Sequence, residues 1–241
     1  MPTDILEVHV SVTFSWDLKE GLRLARVYED YCPNVKIGGL AIGGEGNEFS
    51  PGWYLKKGIT ITTRGCPNNC SFCLVGGNFR ELEVKSGNII QDNNVLAASK
   101  THFRKVITML NTQSKGAYFR GGLESRRLSD WHIEQLKRLR SIRELWFACD
   151  TPAALFSLKK AADKIQWLPR AKKRCYVLCA YNGQSIAQAE EILELVWGLG
   201  FMPFAQLYRP PTDDIEYSSG WKSLARTWSR PCVMRVKHNE R

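Results

Sequence analysis

Cys66, Cys70 and Cys73 stand in the run Arg64-Gly-Cys-Pro-Asn-Asn-Cys-Ser-Phe-Cys-Leu, a Cys-x-x-x-Cys-x-x-Cys spacing with no fourth cysteine nearby. Closely spaced thiolates in a loop hold zinc or an iron–sulfur cluster. Structural zinc sites and ordinary electron-transfer clusters take four protein ligands, whereas three thiolates leave one iron of a 4Fe–4S cluster uncovered. An uncovered metal position is where a substrate can bind. The competing reading is a zinc knuckle that draws its fourth ligand from elsewhere, His102 or Cys149.

Such a loop needs a rigid frame, and strand and helix patterns alternate after residue 58. Gly58 to Arg64 is rich in β-branched residues and reads as a strand leading into the cysteines. Asn88 to Asp92 is a second strand, and a helix from about Ser99 carries Phe103, Val106, Ile107 and Leu110 on one face. Ala117 to Arg120 is a third strand, followed by a helix capped by Ser129 that contains Ile133, Leu136 and Leu139. Leu145 to Cys149, Cys175 to Ala180 and Met202 to Leu207 are the fourth, fifth and sixth strands. Helices from about Pro152 and from Ser185 to Leu199, the latter ended by Gly200, separate them. Strand–helix units in series imply an α/β fold with a parallel sheet, and right-handed crossovers wrap it towards a barrel. Six units leave a barrel open on one side, so the expected core is a partial (βα)6 TIM-like barrel over 59–210. Residues 1–58 read as an αβ extension, with strands at Val8–Val12 and Val35–Gly39 around a helix from Leu18 to Tyr31. Residues 211–241 read as a C-terminal closing helix, with Trp221, Leu224, Ala225 and Trp228 at helical spacing.

In such barrels the working residues lie at the C-terminal ends of the strands. Polar residues recur there in order: the cysteine loop, Asp92-Asn93-Asn94, Arg120 through Gly121, Gly122 and Glu124, then Asp150, Tyr181-Asn182 and Gln206 to Tyr208. A zinc knuckle gives no reason for this placement.

The cysteine spacing, with Phe72 just before the last cysteine, resembles the signature of the radical S-adenosylmethionine (SAM) superfamily. The wider pattern is Phe49-Ser-Pro-Gly-Trp-Tyr-Leu-Lys, the cysteines, Gln91-Asp-Asn-Asn, Gly-Gly-Leu-Glu, Phe147-Ala-Cys-Asp and Cys175-Tyr-Val-Leu. It is similar to a compact, prophage-associated group of that superfamily. The resemblance implies a partial barrel, a 4Fe–4S cluster on Cys66, Cys70 and Cys73, and SAM bound through its amino and carboxylate groups to the open iron. It implies reductive cleavage of SAM to methionine and a 5′-deoxyadenosyl radical that abstracts hydrogen, with electrons from a flavodoxin- or ferredoxin-type donor. By the same resemblance, Asp92 and Asn93 accept hydrogen bonds from the SAM ammonium. Gly121 and Gly122 permit close backbone approach, Glu124 and Arg126 meet charged or ribose groups, Asp150 faces SAM, and the backbone around Phe72 contacts adenine. Gly43-Gly44-Glu45 spells the superfamily's Gly-Gly-Glu motif but precedes the cysteines, and reads as a loop. Residues 1–58 resemble the end of a cobalamin-binding domain without its cobalt-ligating Asp-x-His-x-x-Gly, so no cobalamin is expected.

The chain of 241 residues carries 34 Lys and Arg against 24 Asp and Glu, a net charge of +10. That excess favours anionic partners, nucleic acid or a nucleotide-like substrate. Its densest cluster is Lys159, Lys160, Lys164, Arg170, Lys172, Lys173 and Arg174, which reads first as a solvated helix face and basic loop. Arg120, Arg126 and Arg127 lie nearer the expected chemistry and suit a phosphate. The alternative function is a zinc-stabilised, basic nucleic-acid-binding module without catalysis. No membrane span and no signal peptide are legible, so the chain is expected in the cytoplasm with reduced thiols. Of the other cysteines, Cys149, Cys175 and Cys179 fall on neighbouring strands. With Cys32 or Cys232 they could hold an auxiliary cluster, but they read first as buried small hydrophobes.

Overall fold

A computed structural model describes residues 5–42, 55–210 and 215–239. Gly43-Gly44-Glu45 and residues 49–54 of the resemblance lie outside the described residues. The chain divides into two compact units, one from 1–55, 69–76 and 209–215, the other from 56–68, 77–208 and 216–241. Among the described residues no helix is long and apolar enough to cross a membrane.

In the first unit, strands β1 (Val8–Ser11) and β2 (Val35–Gly38) pair in parallel around helix α1 (Leu18–Glu29). Gly21 and Ala25, four residues apart, are buried on α1, and Ala25 packs with Val10 and Val12. The three elements form a βαβ unit.

The second unit is built on a six-stranded, wholly parallel sheet. Its strands are β3 (Ile59–Thr60), β6 (Ile89–Ile90), β7 (Ala117–Leu123), β8 (Ile142–Cys149), β9 (Lys173–Cys179) and β10 (Met202–Leu207), adjacent in that order. Between β3 and β6 a separate antiparallel pair intervenes, β4 (Thr63–Cys66) and β5 (Gly77–Glu81). Helices α2 (Lys100–Thr112), α3 (Asp130–Lys137), α4 (Ala154–Lys164) and α5 (Ile186–Gly198) connect the later strands. Ser99, Ser129 and Ser185 each accept a hydrogen bond from a first-turn N–H, the chemistry of an N-cap. Leu139 falls beyond the end of α3 but still packs on the core.

The alternation along the strands decides what each face does. Phe119, Leu145, Phe147, Cys175, Val177 and Ala205 join the helices in one apolar core. Leu224 and Trp228 of α6 (Ser219–Trp228), and Met234 of α7 (Pro231–Lys237), belong to it too, so the expected terminal stripe is core. Cys149 and Cys179 are also inside it. Burial pushes both thiols up to about 12 and Cys175 well above its ordinary value, so all three are protonated packing groups. Cys32 is buried in the first unit, while Cys232 is exposed on α7.

One expectation is corrected. The strand read over 58–64 leaves the sheet after Thr60, and residues from Thr63 turn to pair with β5 instead. The cause is a side chain: the Thr62 N–H, which would extend the ladder, donates to Asp92 Oδ1 at 2.5 Å. A hairpin therefore carries the cysteine loop.

Candidate functional site

Cys66 ends β4 in the larger unit, while Cys70 and Cys73 lie on the 69–76 segment of the smaller one, so each is described in its own setting. Three consecutive residues at the end of β6 fix the approach to Cys66. Asp92 takes the Thr62 N–H and the Thr62 hydroxyl, both at 2.5 Å. Asn93 Oδ1 accepts from the Gly65 N–H at 3.2 Å. Asn94 Nδ2 donates to Cys66 Sγ at 3.5 Å and to Glu124 Oε2 at 2.7 Å. Gly65 turns the strand into the loop with φ +76°, where a Cβ would stand 2.5 Å from the Asn78 carbonyl.

Asp92 is 2% exposed, and burial outweighs its hydrogen bonds to raise its pKa. Its oxygens are engaged with Thr62, so in this structure it acts as the latch of the cysteine strand. Gly121 also serves the protein's own backbone, since a Cβ there would lie 1.7 Å from the Asp92 carbonyl oxygen. Gly122, with φ +98°, has open space where its Cβ would be.

Glu124 is the hub of the rim. Besides Asn94, it pairs with Arg127 Nε and Arg126 Nη2, each at 2.7 Å. Burial raises the carboxyl, but bonds from Asn94, Asn68 and Arg127 outweigh it and hold the group below its ordinary range. Arg126 keeps a well-exposed side chain, as does Arg120, whose Nε lies 3.5 Å from Glu144. Phe72 is half-buried on the cysteine segment.

Asp150, at the C-terminal end of β8, differs from Glu124 because none of the described hydrogen bonds or ion pairs involves it. Burial pushes its carboxyl from 3.8 up to about 6. The native chain thus holds this proton more tightly than the unfolded chain, so stability falls as pH rises between those two values. The loss, complete above about pH 6, amounts to about 3 kcal/mol. Asp150→Asn should remove it: in urea denaturation the variant should gain stability over wild type at pH 8 and match it at pH 3. An equal difference at both values would contradict the assignment.

The zinc reading needs a fourth ligand. Cys149 is buried in the core, and His102 Nδ1 lies 3.6 Å from Glu81. Among the described residues no group of three or more His, Cys, Asp or Glu side chains is placed to hold a metal ion, the three cysteines included. No cysteine forms a disulfide, Cys66 and Cys70 are partly exposed and Cys73 is exposed. The Val75 N–H donates to Cys73 Sγ at 3.4 Å, as Asn94 does to Cys66. Hydrogen bonds to cysteine sulfur stabilise thiolate and tune iron–sulfur potentials.

The sequence points to the Asp92-Asn93-Asn94 run but assigns roles only to Asp92 and Asn93, and it gives none to Thr62 or Asn68. The Asp-Asn-Asn run was the available signal, although spacing alone does not say which amide reaches a thiol. Comparison with known proteins finds no matching family model, no matching curated protein and no matching solved structure.

Proposed function

We propose that this chain is a radical SAM enzyme in which Cys66, Cys70 and Cys73 hold one 4Fe–4S cluster. The observation that carries the reading is the Asn94 amide. It joins Cys66 Sγ (3.5 Å) to the rim carboxylate of Glu124 (2.7 Å), linking the first thiol to the C-terminal edge of a parallel sheet. Parallel strands in sequential order, with helices packed on one face, support an open (βα)6 barrel as the core.

With SAM bound, a cluster held by Cys66, Cys70 and Cys73 would supply one-electron reductive cleavage of the sulfonium, the chemistry that starts hydrogen abstraction. The chain's own residues bind and position. Asp150, without a described partner, is the acceptor best suited to the SAM ammonium, and it is ionised above about pH 6. Arg126 is free to swing one end of its guanidinium towards a carboxylate while Glu124 steadies the other. Gly122 leaves room for close approach, and the backbone around Phe72 would meet adenine. Asp92, Asn93 and Gly121 act at one remove, by fixing the strand that ends in Cys66. The second substrate is proposed to be a nucleotide or nucleic-acid base, and the electron donor a flavodoxin- or ferredoxin-type protein.

Anaerobic reconstitution tests the cluster directly. The expected result is about four irons and four sulfides per chain. A chain that takes up one zinc, and no iron, would overturn the reading in favour of the zinc-stabilised module.

A further inference from the structure

The sheet of the larger unit has a second face. Tyr118, Glu144, Trp146, Arg174, Tyr176 and Phe204 alternate with the core residues and stand outside the apolar core. Parallel sheets ordinarily bury apolar side chains on both faces. Here the face is aromatic and charged. The Trp146 ring lies 4.4 Å from Tyr176 and 5.8 Å from Phe204, and those two are 5.8 Å apart.

Arg174 is the unusual member. It is 8% exposed, yet none of the described carboxylates forms an ion pair with it, and its Nε has no hydrogen-bond partner. Its Nη1 meets the Met202 sulfur at 2.9 Å, a weak acceptor, and its guanidinium lies 4.8 Å from the Trp146 ring centre. Glu144, whose charge acts on Arg174, is engaged elsewhere: it accepts from Trp146 Nε1 at 2.8 Å and faces Arg120 Nε at 3.5 Å. The neighbouring cations are accounted for differently. Arg170 donates to the carbonyls of Trp197 and Phe201, and Lys173 stands over Phe201. The charge of Glu144 acts on Arg174 without forming an ion pair, so the buried guanidinium is compensated only in part by that field and by the cation–π contact. A buried donor left unsatisfied in a native structure calls for an explanation, and a water, an ion or a ligand that completes it is one.

We infer that this face is a binding site for a small planar molecule bearing an oxyanion, the chemistry of a mononucleotide. Arg174 receives the phosphate, and Tyr176 and Phe204 offer half-buried ring surface to the base. A guanidinium fork matches a phosphate geometrically. The depth of Arg174 favours a free mononucleotide over a polymer. That the ligand is the enzyme's second substrate rests on the function proposed above; the site itself does not.

Isothermal titration calorimetry on the full chain at fixed ionic strength, without SAM or reductant, tests this. The probes are the four ribonucleoside 5′-monophosphates, their nucleosides and a short RNA oligonucleotide. At least one monophosphate should bind about tenfold or more tightly than its nucleoside. Arg174→Met should erase that difference while the unfolding midpoint stays level or rises, because a buried charge without an ion pair is replaced by an apolar chain. Arg174→Lys should keep the fold and the charge, yet bind the monophosphate more weakly for lack of the fork. The site is overturned if no monophosphate binds, if only the oligonucleotide binds, or if both variants bind like wild type. Monophosphate binding by a chain that never cleaves SAM would uphold this site and defeat the radical reading. SAM cleavage by a chain that binds no monophosphate would do the reverse.

Discussion

Replacing Cys66, Cys70 and Cys73 together with alanine should take bound iron from about four atoms per chain to none. Cleavage of SAM should vanish with it. Of the remaining thiols, Cys32 is buried in the smaller unit and Cys232 stands exposed on α7 in the larger one. Cys149, Cys175 and Cys179 are packed in the core, and burial keeps their thiols protonated. Cys175→Ala should therefore leave iron content unchanged, which makes it the matched control. Asn94→Ala should match the control in iron but differ from it in potential. It removes the N–H that reaches Cys66 Sγ but leaves all three thiols, so iron is retained and the reduction potential shifts. Iron analysis across this series is the check; iron retained in the triple variant would place the cluster elsewhere.

Gly121→Ala should cost about 4 kcal/mol or more, at the far end of what single substitutions do. Its Cβ would stand 1.7 Å from the carbonyl oxygen of Asp92, 2.6 Å from the carbon and 2.7 Å from the nitrogen. No rotamer relieves a clash of backbone with backbone, so β7 and the end of β6 must part. The displaced residue is the one whose carboxylate holds Thr62 with both oxygens, so the strand leading to Cys66 should loosen as well. Gly122→Ala is the contrast. It meets open space and carries only the left-handed backbone penalty of about 1–2 kcal/mol. Urea denaturation of both variants checks this, and a Gly121→Ala chain as stable as Gly122→Ala would contradict it.

The later part of the fold was legible because its signals are local. Ser185, Gly200 and the apolar spacing between them define α5 within one stretch of sequence, and the helix spans Ile186–Gly198. Strand β9 reads from its own β-branched and apolar residues. The cysteine hairpin was not legible. Strand β5 is Gly-Asn-Phe-Arg-Glu, mostly exposed and without alternation. The departure of β4 from the sheet depends on a carboxylate thirty residues away in sequence. Charge counting failed in a similar way. The basic run contains Arg170, held by carbonyls, and Arg174, whose Nε has no hydrogen-bond partner, and composition treats them alike. The three cysteines were the clearest sign of chemistry, but the amide that ties one of them to Glu124 emerges only when β6 and β7 lie side by side.

The most direct test of the central claim is the detection of 5′-deoxyadenosine by mass spectrometry. The reconstituted chain is incubated anaerobically with SAM and a strong reductant, beside the triple cysteine variant. The account predicts 5′-deoxyadenosine and methionine in equal amounts from the wild-type chain and neither from the variant. A wild-type chain with its full complement of iron that yields no 5′-deoxyadenosine would contradict it.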